Sequence, residues 1–513
     1  MDGAALKARL MAAAAVGLVA AAAWFGTGAV VRRAQAARLP AVADLAGTPG
    51  AAQEAIREAD AAARQAPSAA TTGALGLAYH GAQLPGPALA AFALAEAMAP
   101  DDAAWPYHRA LVLEERNDAA TDAALERTVT LAPGHGLAWY RLAERHFKQG
   151  RLDDAEAAYT RAADSSPVAP FLPPGMGARR TTALFAYAQF GLARVALERG
   201  DRPDAARRVD AALGAAATFG PARALRRQLV EPATVSTAAP AAPFVPPADP
   251  VIDAMVASSR HSDLLLKHAS LAARGGDPAW REFLVRRASS FNPRDLNVLM
   301  EMAAMLQASR RYDDALGYLR QHEQLAPGDH HGLVEQGRTL LDLGRLGEAE
   351  AVLRRAASVR DAAAEYNLGV ALDRQDRWDE ARRHYDAALA IDTFHVRALN
   401  NLGVGLDRRG QTATALALFE RATRIDPEAA DVRVNLGAAL LHSNRLTEAV
   451  EVLQTAVALN DRDANAWNNL GIAWARIGHL DNARAAFDRA VRVDPGHVDA
   501  RNNLAQVTAA LAR

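Results

Sequence analysis

The sequence predicts an all-α solenoid of stacked helical hairpins, on three observations. An apolar pattern recurs in tandem with a repeat of 34 residues. Its apolar positions fall three and four apart, the spacing of one buried helix face. At 513 residues, half of them hydrophobic, the chain is far longer than one ordinary domain and can bury a continuous core. The clearest window is Ala464–His497, in which Trp467, Leu470, Gly471 and Trp474 lie on one face of a first helix. Ala483, Phe487 and Ala490 lie on one face of a second, and Asp494-Pro495 closes it.

The same register runs upstream. The window from Val396 carries Leu399, Leu402, Gly403, Leu406, Ala415, Phe419 and Ala422. Those from Ala430 and Ala362 carry Leu436, Gly437, Ala449 and Leu453, and Leu368, Gly369, Ala381 and Tyr385. Windows from His330, Leu296, Gly136 and Ala69 keep part of the pattern, and those from Asp102, Ala186 and Ser262 are more degenerate. Gly or Ala sits where the two helices of a hairpin cross most closely, because a larger side chain would hold them apart. No hairpin buries its face alone, so neighbours must stack. This register resembles the tetratricopeptide repeat family, of which membrane-anchored bacterial members exist, over roughly Ala69 to the carboxyl end. The resemblance implies about eleven hairpins in a right-handed superhelix, with Val498–Arg513 as a solvating cap helix.

At the amino end, Met11–Val31 is a run of 21 residues without a charge, flanked by Lys7 and Arg9 before and Arg32 and Arg33 after. A helix of that length spans about 30 Å, so it reads as a single-pass membrane anchor. The alternative is a cleaved signal peptide with Ala34-Gln35-Ala36 as its site. The flanking charges weakly favour a cytoplasmic array, and the signal-like layout favours the extracytoplasmic (periplasmic) side, which is the side expected. The Ala/Arg-rich composition suggests a high-GC bacterial source. Two proline-rich stretches interrupt the repeats: Ser166–Gly177 reads as a loop insertion and Glu231–Pro250, with six prolines, as an extended linker. The expected organisation is an anchor or signal segment at 1–40, an amino-terminal array at 41–230, a linker at 231–250 and a carboxyl-terminal array at 251–513. One continuous superhelix with the linker packed along its surface is the competing layout.

In the carboxyl-terminal array, Asn367, Asn401, Asn435, Asn469 and Asn503 all occupy the sixth place of their windows. Seven residues after the first four come Arg374, Arg408, His442 and Arg476. Seven residues turn a helix by about 700°, so each Asn shares a face with its Arg or His. Val370, Val404, Ala438 and Ile472 lie between. The family resemblance implies that first helices line the concave surface, which would place these rows in a groove. There the amides suit the N–H and C=O of an extended peptide, and the basic row suits carboxylates. Upstream the equivalent places hold Glu335, Asp342 and Glu301, so the groove is expected to turn acidic. The competing reading is that the asparagines help the hairpins stack.

No catalytic constellation stands out: there is no phosphate loop, no H-E-x-x-H, no G-x-S-x-G and no complete G-x-G-x-x-G. Gly403-Val404-Gly405 lies inside an expected helix and reads as repeat packing, and Asp329-His330-His331 as a solvated turn rather than a metal site. No cysteine is present, which excludes disulfides and thiolate metal sites. Lys+Arg of 58 against Asp+Glu of 59 speaks against a nucleic-acid binder. The chain is therefore expected to be a non-enzymatic scaffold or assembly factor without cofactor or metal. Its expected partners are proteins with extended or acidic segments, and a membrane through the amino-terminal helix. A regulatory or substrate-recruiting subunit of a separate enzyme and a structural spacer are the alternatives.

Overall fold

A computed structural model describes Ala34 and residues 36–166, 182–230 and 245–512. The described residues form 26 α-helices and no strand. They divide into two compact units, Met1–Met302 and Ala303–Arg513, with the boundary inside α14 (Leu296–Ala308).

In the first unit, α1 (Gly50–Gln65) precedes four hairpins: α2–α3 (Ala69–Gly81, Pro85–Met98), α4–α5 (Ala104–Glu115, Thr121–Leu131), α6–α7 (Gly136–Lys148, Leu152–Ala163) and α8–α9 (Leu184–Glu198, Arg202–Ala215). Then come α10 (Gly220–Val230), a short α11 (Pro250–Ser258) and the hairpin α12–α13 (Ser262–Gly275, Pro278–Phe291). In the second unit α15 (Tyr312–Leu325) is followed by α16–α17 (His330–Asp342, Leu346–Ala356), α18–α19 (Ala362–Asp373, Trp378–Ile391), α20–α21 (Val396–Asp407, Thr412–Ile425), α22–α23 (Ala430–His442, Leu446–Leu459) and α24–α25 (Ala464–Ile477, Leu480–Val493), closed by α26 (Val498–Leu511). Within each unit the two helices of a hairpin pack on each other, and second helices such as α7, α17, α19, α21 and α23 pack on the first helix of the next hairpin, the near-neighbour arrangement of a solenoid.

Local chemistry fixes the helix ends. Asp463 starts α24 by accepting from the Ala466 N–H at 3.1 Å, and His497 starts α26 through Nδ1. Between the helices of a hairpin the chain must reverse within a few residues through a left-handed residue. Gly478 (φ 96°) does this after α24 without steric cost, and Asn444 (φ 58°) does it after α22.

The crossing glycines behave as expected. A Cβ on Gly403 would stand 2.7 Å from the Phe419 ring, and one on Gly471 2.5 Å from Phe487. Phe419, Leu453 and Tyr385 are fully buried and join Leu399, Leu436 and Leu368 in one core through the second unit. Gly405, the other glycine of Gly403-Val404-Gly405, is pressed against Trp378 of the preceding hairpin, so both glycines serve packing. The cap helix α26 buries only Ala500 and Val507 and leaves a polar outer face.

Several expectations fall outside the described residues: the anchor or signal stretch Met11–Val31, the insertion beyond Ser166, and 231–244 of the linker. Among the described residues no helix is long and apolar enough to cross a membrane. The last residues of the linker, 245–250, are extended and then helical, and pack against the first unit.

Candidate protein-binding surface

First helices of successive hairpins touch one another in the second unit, α16 with α18, α20 with α22, α22 with α24 and α24 with α26. That closeness puts them on the inner side of the stack. The asparagine row lies there, half-buried except for the buried Asn367.

Its amides bond between hairpins in a regular way. Asn401 Nδ2 donates to Tyr366 Oη at 3.3 Å, Asn435 Nδ2 to Asn400 Oδ1 at 2.9 Å, and Asn503 Nδ2 to Asn468 Oδ1 at 3.0 Å. In each case the sixth place of one window reaches the fifth place of the window before. Asn469 faces Val434 in that scheme, and an apolar side chain offers no acceptor. Each bond uses one N–H of an amide that has two and an acceptor oxygen besides.

The basic row makes a second ladder. Arg374 Nη1 donates to the Leu341 carbonyl and Arg476 Nη1 to the Leu441 carbonyl, both at 2.7 Å. These carbonyls lie at the carboxyl ends of α16 and α22, where helix termini leave acceptors unpaired and favour cations. His442 Nδ1 pairs with Asp407 at 2.9 Å. Arg408 is exposed and has no side-chain partner among the described residues. Val370, Val404, Ala438 and Ile472 lie half-buried between the rows. Of the acidic places upstream, Glu335 pairs with Arg338 at 2.7 Å in the second unit, and Glu301 with Arg281 at 2.9 Å in the first. Asp329 caps α16 through the Gly332 N–H at 2.8 Å.

The first unit holds a polar site that the repeat pattern did not announce. Asp249, 3% exposed, accepts from Tyr107 Oη at 2.6 Å and from Arg141 Nη2 at 3.0 Å through one oxygen. Its other oxygen accepts from the Val251 N–H at 3.0 Å and so caps α11. Arg141 also pairs with Glu114. Burial, reinforced by the adjacent Asp249 carboxylate, pushes the Tyr107 phenol well above its ordinary range, so it remains a donor. The one local sign was Asp249-Pro250, a cap followed by proline at the first helical position. Its partner lies 142 residues upstream, beyond any local pattern.

Tetratricopeptide repeat models match residues 108–170, 186–211, 330–355, 360–428, 408–470, 446–496 and 475–511, just over half of the chain in sum. The chain belongs to the tetratricopeptide repeat family. Several solved structures resemble it at low identity. The crystal structure of the APC/C hetero-tetramer Cut9-Hcn1 is 14% identical, with TM-score 0.43, covering 83% of this chain and 93% of that one. YrrB, described as a TPR protein with an unusual peptide-binding site, is 19% identical, with TM-score 0.26, covering 42% of this chain and 96% of its own. The MamA protein is 22% identical, with TM-score 0.28, covering 33% and 93%. No curated protein matches the chain.

Proposed function

We propose that this tetratricopeptide protein is a non-enzymatic interaction scaffold whose carboxyl-terminal unit holds an extended, acidic protein segment along its first helices. The observation that carries this is the pair of parallel rows on the inner side of the stack. The residual hydrogen-bonding capacity of Asn401, Asn435 and Asn469 suits a peptide backbone. The exposed Arg408, in one row with Arg374 and Arg476, suits carboxylates. The half-buried Val404 and Ile472 between them suit apolar side chains. Bonds between successive hairpins hold these donors in fixed positions, which lowers the entropy lost on binding.

The test is photo-crosslinking. A photoreactive residue at Val404 or Ala438 is compared with one at Glu420, on the second helix of its hairpin. Protein adducts confined to Val404 and Ala438 support the groove. Adducts only at Glu420 move the binding face to the outside of the solenoid and overturn the reading.

We propose further that Met11–Val31 tethers the array to a membrane, with the repeats on the extracytoplasmic side. The support is its length and lack of charge. The full chain should then resist alkaline extraction from membranes while a chain lacking residues 1–33 is released. Equal release of both would contradict the tether.

A further inference from the structure

Residues 245–260 run across the first helices of the amino-terminal unit in reverse chain order. Tyr187 of α8 donates to the Val245 carbonyl at 2.8 Å. Arg141 of α6 and Tyr107 of α4 hold Asp249. Val251 and Ile252 pack against the hairpin core. Ser259 Oγ donates to the Gly81 carbonyl at the end of α2 at 2.8 Å, and Arg260 pairs with Glu58 of α1 at 3.1 Å. The side of this array equivalent to the inner side of the carboxyl-terminal unit is thus already filled by the chain itself. The filling is incomplete. An open pocket of about 120 Å³ remains beside the segment, bordered by Arg141, Tyr187, Ala248, Asp253, His268 and Trp280.

We infer that this inner face is a recognition site for an acidic, proline-bracketed segment of a partner protein, occupied in cis by residues 245–260 until such a segment displaces them. The inference is independent of the proposed role of the carboxyl-terminal unit. The occupant's chemistry is set by the site. One carboxylate must both meet the half-buried Arg141 and the buried Tyr107 and start a helix, as Asp249 does before Pro250. The residue before it stands at the pocket. The chain places only Ala248 there, so a partner with a leucine-sized residue at that position would fill space the cis segment leaves open. The cis segment prevails in the isolated chain because covalent attachment gives it a high effective concentration, on the millimolar scale for short linkers.

The experiment uses the full chain, a labelled synthetic peptide of residues 245–260, and the same peptide carrying Ala248→Leu. In the chain, Asp249→Asn keeps the size and capping ability of the residue and replaces the oxygen that accepts from Tyr107 and Arg141 with an uncharged NH2 donor. The expected result has three parts. The native peptide binds the Asp249→Asn chain at least tenfold more tightly than the wild-type chain. The Ala248→Leu peptide binds more tightly still. Adding Arg141→Gln to the Asp249→Asn chain abolishes binding. Equal binding to wild type and variant, or none to a variant with unchanged circular dichroism, would overturn the inference. Loss of fold in Asp249→Asn would also overturn it, because the segment would then be core rather than an exchangeable occupant. Concentration-dependent dimers of the variant that take up no peptide would assign the face to a second copy of the chain, again against the inference.

Discussion

Asn435 and Arg476 each join a hairpin to the one before it, the first through the Asn400 amide and the second through the Leu441 carbonyl. Arg476 also donates to Asn444 Oδ1 at 2.8 Å, and such exposed or half-buried bonds are worth about 0.5–1.5 kcal/mol each. Arg476→Ala should therefore lower stability by about 1 kcal/mol, while Arg408→Ala, without such a bond, should leave it unchanged; chemical denaturation measures both. The histidines give a pH dependence. Burial pushes His108, next to His80, Asp249 and Asp102, and His268, next to Lys267, Glu115 and His80, down to about 4. An unfolded histidine titrates near 6.5, so between about 6.5 and 4 the unfolded chain binds protons that the folded chain refuses. Stability is complete above about 6.5 and is lost as pH falls toward 4, by roughly 3 kcal/mol per histidine at most. His108→Phe, which keeps a ring against Phe92, should flatten the slope of melting temperature against pH over that interval. An unchanged slope would contradict the buried neutral state.

Within a hairpin, the closest approach of the two helices decides which residues are tolerated. Ala449 is fully buried in α23, and Gly403 faces the Phe419 ring. Ala449→Leu and Gly403→Val should each cost about 1–3 kcal/mol by overpacking, read as a lower unfolding midpoint. An unchanged midpoint would refute the assigned register. These elements were legible in the sequence because the windows from Ala362 onward repeat Gly, a large apolar residue and Ala at fixed spacing. Others were not. In α1 the buried Ala52, Ile56 and Ala63 follow helical spacing, but alanine carries little contrast between faces. The start of the short α11 fell at the end of the stretch Glu231–Pro250 that reads as a linker, and the helix packs through contacts distant in sequence. Likewise the asparagine row was legible as a row, but its bonds to the fifth place of the preceding window depend on stacking geometry that no single window contains.

At the scale of the molecule, each hairpin depends mainly on its neighbours, so stability is close to a sum of local terms and damage stays local. Substitutions in the Asn and Arg rows should therefore alter binding without unfolding the array. The proposed function requires that those rows, and not the fold alone, engage a protein partner. It is tested most directly by cross-linking and capture with the full-length chain, comparing wild type with the combined Asn401→Ala, Asn435→Ala and Asn469→Ala variant well below the melting temperature of both. A partner should be recovered with wild type and lost with the variant, whose melting temperature should fall by only a few degrees. Recovery of the same partners with both chains would contradict it.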